Sequence, residues 1–436
     1  MPMTAPEVRW PNSLWVAATP PGPDLPTLVG AEKADVVVIG GGFTGLSTAL
    51  HLREAGVDVA IVEAMEPGWG ASGRNNGQVI PTLSRVDPEA IVARHGAAGE
   101  RFVAMLRDSA STLFDVARRY QLNAEQEQTG WVQPVHSPGR IKIAERRVRQ
   151  WGDVGAPVEL LSREQMRAML GSDAWYGGFW NRSGGHINPL ALARELARAV
   201  VKQGGRIYAR SPVESFERRG DRWVAKTAEG EISGRALVVA SNAYSGEFSK
   251  TLASEIAREV VPVLSWQMST QPLSDNVRKT VIPDRQAMSD THGELYFARY
   301  DARNRLITGG AVIGPGDRAE RLKSRVAERL QRLWPQIGEV KFDHIWNGYV
   351  GMTTDFLPRI HRLGPDAYGW TGCNGRAVAL TIPLGNELAK AVRGVPESQL
   401  ALPFTQPAPL PFHGVLRKLA PLMLLLYRRR DAREIA

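Results

Sequence analysis

Three glycines and one acid are the residues of this chain whose spacing could do chemistry. Gly40-x-Gly42-x-x-Gly45 follows directly on the apolar run Val36–Ile39, and Glu63 closes a second apolar run, Val59–Val62. Between them Leu46, Ala49, Leu50 and Leu52 recur at helical spacing, and Gly56 can end that helix. The glycines allow a tight turn, close approach of backbone to a pyrophosphate, and close helix–strand packing. The helix N-terminus, at Phe43 and Thr44, offers free N–H groups and a partial positive charge to the same pyrophosphate. Glu63 lies 18 residues after Gly45 (63 − 45), followed by Ala64, where it can accept hydrogen bonds from an adenosine ribose. A carboxylate there repels a 2′-phosphate and so disfavours NADP. Glycines at this spacing alone are a weak signal; strand, turn, helix and strand ending in an acid are a strong one.

That unit does not separate FAD from NAD. The next segment bears on the choice. Gly70-Ala71-Ser72-Gly73-Arg74-Asn75-Asn76-Gly77-Gln78 puts small residues where backbone can lie against a large ring, with Arg74 and the amides as donors. It resembles the stretch after the first βαβ unit in the D-amino-acid-oxidase-like family of FAD-dependent amine and amino-acid oxidoreductases. The resemblance extends over about residues 30 to 430. It implies that Ser72 to Gln78 lie along the pyrophosphate and flavin, and that the Val213 backbone meets adenine. It also implies that Ser241 ends a strand beside the cofactor. Residues 346–358 and then Asn374, Gly375 and Arg376 would close the flavin site. The helix that follows would point its N-terminus at the flavin pyrimidine end, stabilising negative charge on the reduced ring.

Departures from the family pattern refine the expectation. Some members attach FAD through a cysteine where this chain has Gly348. FAD is therefore expected to be non-covalent, with the only thiol, Cys373, read as a small buried residue. Other members grip an amino-acid carboxylate with a lysine near the position of Ala379. Arg376 either replaces it, contacts the flavin, or is a surface ion pair. Amines or cyclic imino acids are expected ahead of glycine or sarcosine. Arg305–Gly309 also lacks the lysine that activates oxygen in some relatives.

The implied reaction is hydride transfer from a C–H beside nitrogen to flavin N5, followed by hydrolysis of the imine in water. Electrons would pass to O2, giving H2O2, or to a membrane quinone. The cofactor carries this chemistry, and the protein supplies orientation and a dry cavity. Tyr296, Arg299, Tyr349 and Arg376 are the candidates to line the substrate pocket. A non-redox protein that keeps FAD as a structural element is the reading from another class; substrate bleaching of the flavin separates the two.

These groups need a fold to hold them. The expected class is α/β: a Rossmann-like FAD-binding domain with an inserted α+β substrate domain built on an antiparallel sheet. The FAD-binding parts are 31–85, 187–249 and 341–400; the substrate parts are 86–186 and 250–340. An arm, 1–30, precedes them and a tail, 401–436, follows. Asn188 as N-cap and Pro189 at the first helical position start a helix running to Gly204. Helices are also expected over 88–120, 140–151, 163–170, 319–334 and 382–392. Strands are expected at 130–135, 206–209, 236–240, 260–269, 294–299 and 305–310, with a hairpin of 222–227 and 231–233. His186, beside Gly184-Gly185 at the domain junction, reads as structural.

Composition narrows the rest. Apolar residues make up 43% and charged residues 23%, as in a soluble globular protein. A single cysteine permits no intramolecular disulfide and suits the cytoplasm. No Cys or His cluster suggests a metal, and the N-terminus lacks a signal-peptide layout. The net charge of +9 is spread along the chain without a nucleic-acid motif, so nucleic acid is not the expected partner. The basic residues concentrate only around Leu419–Tyr427, a nine-residue apolar run (427 − 419 + 1) between Arg417-Lys418 and Arg428-Arg429-Arg430. It is far short of the roughly 20 residues that span a bilayer. Either it packs on the protein's own surface, or it lies in an anionic membrane interface as a peripheral contact.

Overall fold

The computed structural model describes residues 7–249, 252–311 and 317–435. The first six residues of the arm, residues 250, 251 and 312–316 of the expected substrate part, and the last residue of the tail lie outside the described residues.

A seven-stranded sheet carries the dinucleotide half. Its order is Phe404–Thr405, Arg359–Gly364, Ala367–Thr371, Ala236–Val239, Val36–Ile39, Val59–Val62, Arg206–Tyr208. The last five are mutually parallel, and Arg359–Gly364 runs against them. All four residues of Val36–Ile39 and of Val59–Val62 are buried. Val36, Val38, Val59 and Ile61 pack under the helices, whereas Val37, Ile39, Ala60 and Val62 pack on the other face with Trp223, Ala225 and Ile232. Burial on both faces is why these strands are unbroken apolar runs. The helices are Phe43–Glu54, Pro189–Lys202 and Val378–Val392. The opposite face is covered by a four-stranded sheet, Gly30–Lys33, Gly230–Gly234, Arg222–Lys226 and Ser215–Arg219. The expected hairpin is thus a three-stranded meander, and residue 30 of the arm opens the strand at its edge.

The second large sheet has eight strands: Phe342–Met352, Val261–Pro272, Arg305–Gly310, Phe297–Tyr300, Ala287–Ser289, Trp131–Pro134, Gly178–Asn181, Val158–Leu161. Neighbours are antiparallel except Ala287–Ser289 with Trp131–Pro134. One face packs through Met268, Met288, Ala298 and Tyr300 on the helices Arg163–Leu170 and Arg318–Leu333. The domain limits need correction here. Residues 342–352, expected with the dinucleotide half, ladder onto Val261–Pro272 from Val261/Met352 to Thr270/Phe342. Likewise the strand expected at 294–299 is Phe297–Tyr300.

Local chemistry sets most helix ends. The Asn188 side chain accepts from Ala191 N–H, with Pro189 next to it. Ser162 and Gln165 form a capping box before Arg163–Leu170, and Gly171 ends it in the left-handed region. Gly96, at φ +54°, splits the helical run 88–120 into Pro88–His95 and Ala97–Arg119. In the arm, Trp15 is fully buried, edge-on to Trp346 at 5.9 Å. The tail forms the helices His413–Leu419 and Met423–Ile435 with a 3-10 turn, Ala420–Leu422, between them. Among the described residues no helix is long and apolar enough to cross a membrane.

Candidate active site

A cavity of about 850 Å³ lies between the two large sheets and runs along the carboxyl ends of Val36–Ile39 and Val59–Val62. The turn after the first strand shapes it. Gly40 has φ +108°, a conformation glycine adopts without strain. A Cβ on Gly45 would sit 2.0 Å from the Gly40 carbonyl oxygen, so the helix can leave the strand this closely only with glycine there. A Cβ on Gly42 would meet Ser72 Oγ at 2.9 Å, on the cavity side. Ser72 Oγ in turn accepts from Phe43 N–H at 3.0 Å, tying the later loop to the helix start.

Glu63 lies half-buried below this turn. Its carboxylate accepts from Gly41 N–H at 2.5 Å and from Met65 N–H at 2.9 Å. Burial raises its pKa, opposed by those backbone donors. Thr44 Oγ1 is buried without a hydrogen-bond partner, and Thr44 lines the cavity. Ala64, Val213 and Ser241 line it as well.

The loop Gly70–Gln78 is held by three aromatic and arginine braces. Trp346 donates to Arg74 O at 2.8 Å, Trp15 to Asn75 O at 2.9 Å, and Arg299 to Asn76 O at 2.7 Å. Arg74 stacks on Trp69 at 4.3 Å and donates to Trp69 O at 2.7 Å; burial lowers its pKa. Ser72, Arg74, Asn75, Asn76 and Gln78 line the cavity, whereas Gly73 and Gly77 lie behind it. A Cβ on either would collide with backbone, at Gly68 O (2.2 Å) or Ile187 O (2.1 Å).

The four pocket candidates separate. Tyr349 and Arg376 line the cavity. Arg376 is buried above the Trp131 ring at 4.9 Å, and its bonds to Thr82 Oγ1 and Leu83 O are long, 3.4 Å each. Among the described residues it has no ion pair, so it is not the surface pair considered above. Burial, with Arg147 nearby, pushes its pKa down to about 9, which leaves it charged at neutral pH. Arg299 and Tyr296 are not in the cavity lining, which corrects that expectation. Arg299 is spent on Asn76 O, Ile187 O and Tyr300 O and stacks on Trp15, its pKa pushed down to about 9 by burial. Tyr296 stacks on His292 at 4.1 Å and covers Arg329, while its neighbour Phe297 faces the cavity. Adjacent residues of an extended segment point to opposite sides, so misplacing the strand start misassigns Tyr296.

Asn374 is likewise a brace rather than a lining residue: Thr353 N–H donates to its Oδ1 at 2.9 Å and its Nδ2 reaches Gly372 O at 3.0 Å. Gly375, Ala377 and Val378 bring the start of helix Val378–Val392 to the cavity. Ala379 points into the main core, fully buried, so a cavity-facing lysine has no counterpart at that position. Gly348 lies against Arg74, with 3.1 Å from a built Cβ to Arg74 Cβ. Cys373 lines the cavity too; burial raises its pKa and keeps it a thiol. His186 sits away from the cavity, bonded to Arg285 O at 3.0 Å, with burial holding its pKa well below the usual value.

Sequence reasoning missed several lining groups. Tyr244 meets Tyr349 at 5.7 Å between ring centroids and accepts from its N–H. Leu264, Trp266 and Gln267 come from the strand Val261–Pro272, and Arg85 from the loop before Pro88. The tail supplies Leu416, Leu419, Met423, Leu424 and Tyr427. For the strand residues the only signal was alternation, and for Arg85 there was none.

The arrangement suits a flavin dinucleotide: an unpartnered buried hydroxyl, a turn with no room for side chains, and a long cleft that reaches a charged guanidinium. Known proteins agree. A model of the FAD dependent oxidoreductase (DAO) family matches residues 35–391. The gamma-glutamylputrescine oxidoreductase of Escherichia coli (strain K12) is 32% identical over 370 residues, covering 84% of this chain and 85% of that one. Among solved structures, glycine oxidase from Geobacillus kaustophilus superposes with a TM-score of 0.70 at 20% identity, over 83% of this chain and 95% of that chain. L-Amino acid deaminase from Proteus myxofaciens, in complex with anthranilate, gives 0.72 at 16% identity, over 86% and 93%.

Proposed function

Because the chain belongs to the DAO family of FAD-dependent oxidoreductases, enzymes of amines and amino acids, we propose that it binds FAD non-covalently and oxidises the C–N bond of an amine or imino acid larger than glycine. The observation that carries this reading is the single cavity lined both by the Gly42–Thr44 turn with Glu63 and by Tyr349 with Arg376. FAD, when bound, accepts the hydride from the carbon next to nitrogen, and the imine is then hydrolysed in water.

The chain's own residues divide the remaining work. Gly42, Thr44 and the start of the helix would hold the pyrophosphate of FAD, Glu63 the ribose, and the Val213 backbone would meet adenine; Ser72, Arg74, Asn75, Asn76, Gln78, Ser241 and Gly375 would bound the ring. Arg376 orients an acidic or acceptor end of the substrate. Leu264, Trp266 and Phe297 keep water away. Among the described residues two carboxylates line the cavity, and both are already partnered. Glu63 is taken up by backbone donors, and Glu294 is paired with Arg325 and Arg428, both at 2.6 Å. The amine is accordingly expected to bind in its neutral form, its lone pair assisting the departure of the hydride.

The apolar wall of Leu264, Trp266 and Phe297 supports a substrate with more carbon than glycine, and the Escherichia coli relative is named for gamma-glutamylputrescine, a large amine. O2 is the proposed acceptor and the single cysteine supports a cytoplasmic location. A second reading, electron transfer to a membrane quinone, is favoured by the apolar tail at the cavity. Anaerobic titration with a panel of amines, imino acids and glycine tests the proposal: a large amine should bleach the flavin faster than glycine. No bleaching by any of them would leave FAD without a redox role. Oxygen consumption against reduction of a quinone analogue separates the acceptors. Acid precipitation should release the yellow colour into the supernatant; colour retained in the pellet would indicate attachment, with Cys373 the thiol to test.

A further inference from the structure

The turn Ala420–Leu422 and the helix Met423–Ile435 together present two apolar sides, which a segment packed on one core does not need. Ala420, Met423, Leu424 and Tyr427, spaced 0, 3, 4 and 7, form one stripe on the cavity. Asp431 and Glu434 extend that inner side. Asp431 accepts from Gly293 N–H at 2.7 Å, and Glu434 is paired with Arg140 and lies 3.4 Å from His136. The outer side carries Leu422, Leu425 and Leu426, which are 47%, 44% and 56% exposed. Phe412, Val415 and Leu419 continue the exposed surface along the preceding helix.

Basic side chains frame this patch. Arg417, Lys418, Arg429, Arg430 and Arg433 are exposed. Residues 412–435 hold six Lys or Arg (417, 418, 428, 429, 430, 433) and two acids, a net charge of +4 (6 − 2). Asp431 is buried and Glu434 is paired with Arg140, so the exposed arginines dominate the outward field. Exposed leucines ringed by arginines match the two layers of an anionic bilayer surface, acyl chains and headgroups. A second copy of this chain would bring the same positive patches together, which disfavours self-association through this face.

We propose that the outer face of residues 412–433 docks on an anionic lipid bilayer. The same short segment then separates the bilayer from the cavity: Leu419 and Met423 are both exposed and cavity-lining. Apolar molecules dissolved in the bilayer would reach the cavity past this segment without crossing water.

The test is flotation of the full-length holoprotein with vesicles of phosphatidylcholine alone or mixed with phosphatidylglycerol. The intact protein should float with the mixed vesicles at low salt, bind phosphatidylcholine alone roughly tenfold more weakly, and be released by salt. Leu422→Ser, Leu425→Ser and Leu426→Ser together should reduce flotation roughly tenfold or more, with flavin spectrum and turnover of soluble substrate kept. The proposal is overturned if the intact protein stays soluble with anionic vesicles, or if the triple variant floats equally well. Light scattering that shows a dimer dissociated by the triple substitution, without vesicle binding, would assign the face to a second copy and overturn it too. None of these outcomes depends on which amine is the substrate.

Discussion

At the scale of single residues, position 42 has little room for a side chain on the cavity side. A valine there would drive its methyl groups at Ser72 Oγ and into the space where the pyrophosphate is placed. Gly42→Val is therefore expected to purify with little flavin, read as the ratio of flavin to protein absorbance; full occupancy would refute the placement. Glu63→Ala removes two charge-assisted bonds to backbone N–H groups, each worth about 1.5–3 kcal/mol, and should also lower occupancy. Arg376 makes a different prediction. Its guanidinium is buried, charged and held only by long bonds, so capacity remains for a ligand. Arg376→Met should lower kcat/KM by roughly 10- to 150-fold, the equivalent of one charged hydrogen bond, with the flavin spectrum unchanged. Loss of the flavin instead would move Arg376 from substrate to cofactor.

At the scale of elements, the helix crossing behind the glycine turn sets how rigidly the site is held. Helix Val378–Val392 crosses helix Phe43–Glu54 at Gly385, where a built Cβ would lie 2.5 Å from Ser47 Cβ and 2.7 Å from Thr48 N. Ser47 Oγ donates to Ile382 O at 2.7 Å across the same crossing. Both helices bring their N-terminal ends to the cavity. Gly385→Val forces them apart and should cost about 1–3 kcal/mol by overpacking. The midpoint of denaturant unfolding should fall accordingly, and flavin affinity should fall with it although residue 385 touches no part of the cavity. An unchanged midpoint would mean that the crossing relaxes freely.

For the whole molecule, buried neutral histidines set the response to acid. Burial pushes His136 down to about 4, with His292 stacked on it at 3.9 Å. His361, against Glu259 and Arg359, is also at about 4, again chiefly through burial. In the unfolded chain both protonate near 6.5, so as pH falls the unfolded state takes up protons first. The stability that comes from keeping them neutral is complete above 6.5 and is lost as pH falls from there toward 4. Thermal unfolding across that window should show a falling Tm, and a His136→Gln, His361→Gln double variant should show a flatter profile. His136 also touches the tail through Glu434, so its protonation acts where the tail is fastened.

What the sequence determined by itself was local. The strand, turn, helix and acid from Val36 to Glu63 were legible because each depends on neighbours a few residues away: glycine torsions, helical spacing, a buried apolar run. The Asn188-Pro189 helix start was legible for the same reason, as was the resemblance that implied FAD. Tertiary structure alone decided which side chains face the cavity. Arg299 and Arg376 were equal candidates in sequence, yet one braces a loop 223 residues earlier in the chain and the other lines the cavity. Residues 342–352 joined the second sheet because their partner strand lies some 80 residues upstream. The tail showed both a leucine run and a ring of arginines, but its sequence carried no mark of which leucines turn inward. That depends on Gly293, Arg140 and His136, which distant segments bring to its inner side. Backbone conformation is set within a turn or two of chain. The direction of a side chain relative to a cavity is set by the register between segments that meet only in the folded molecule.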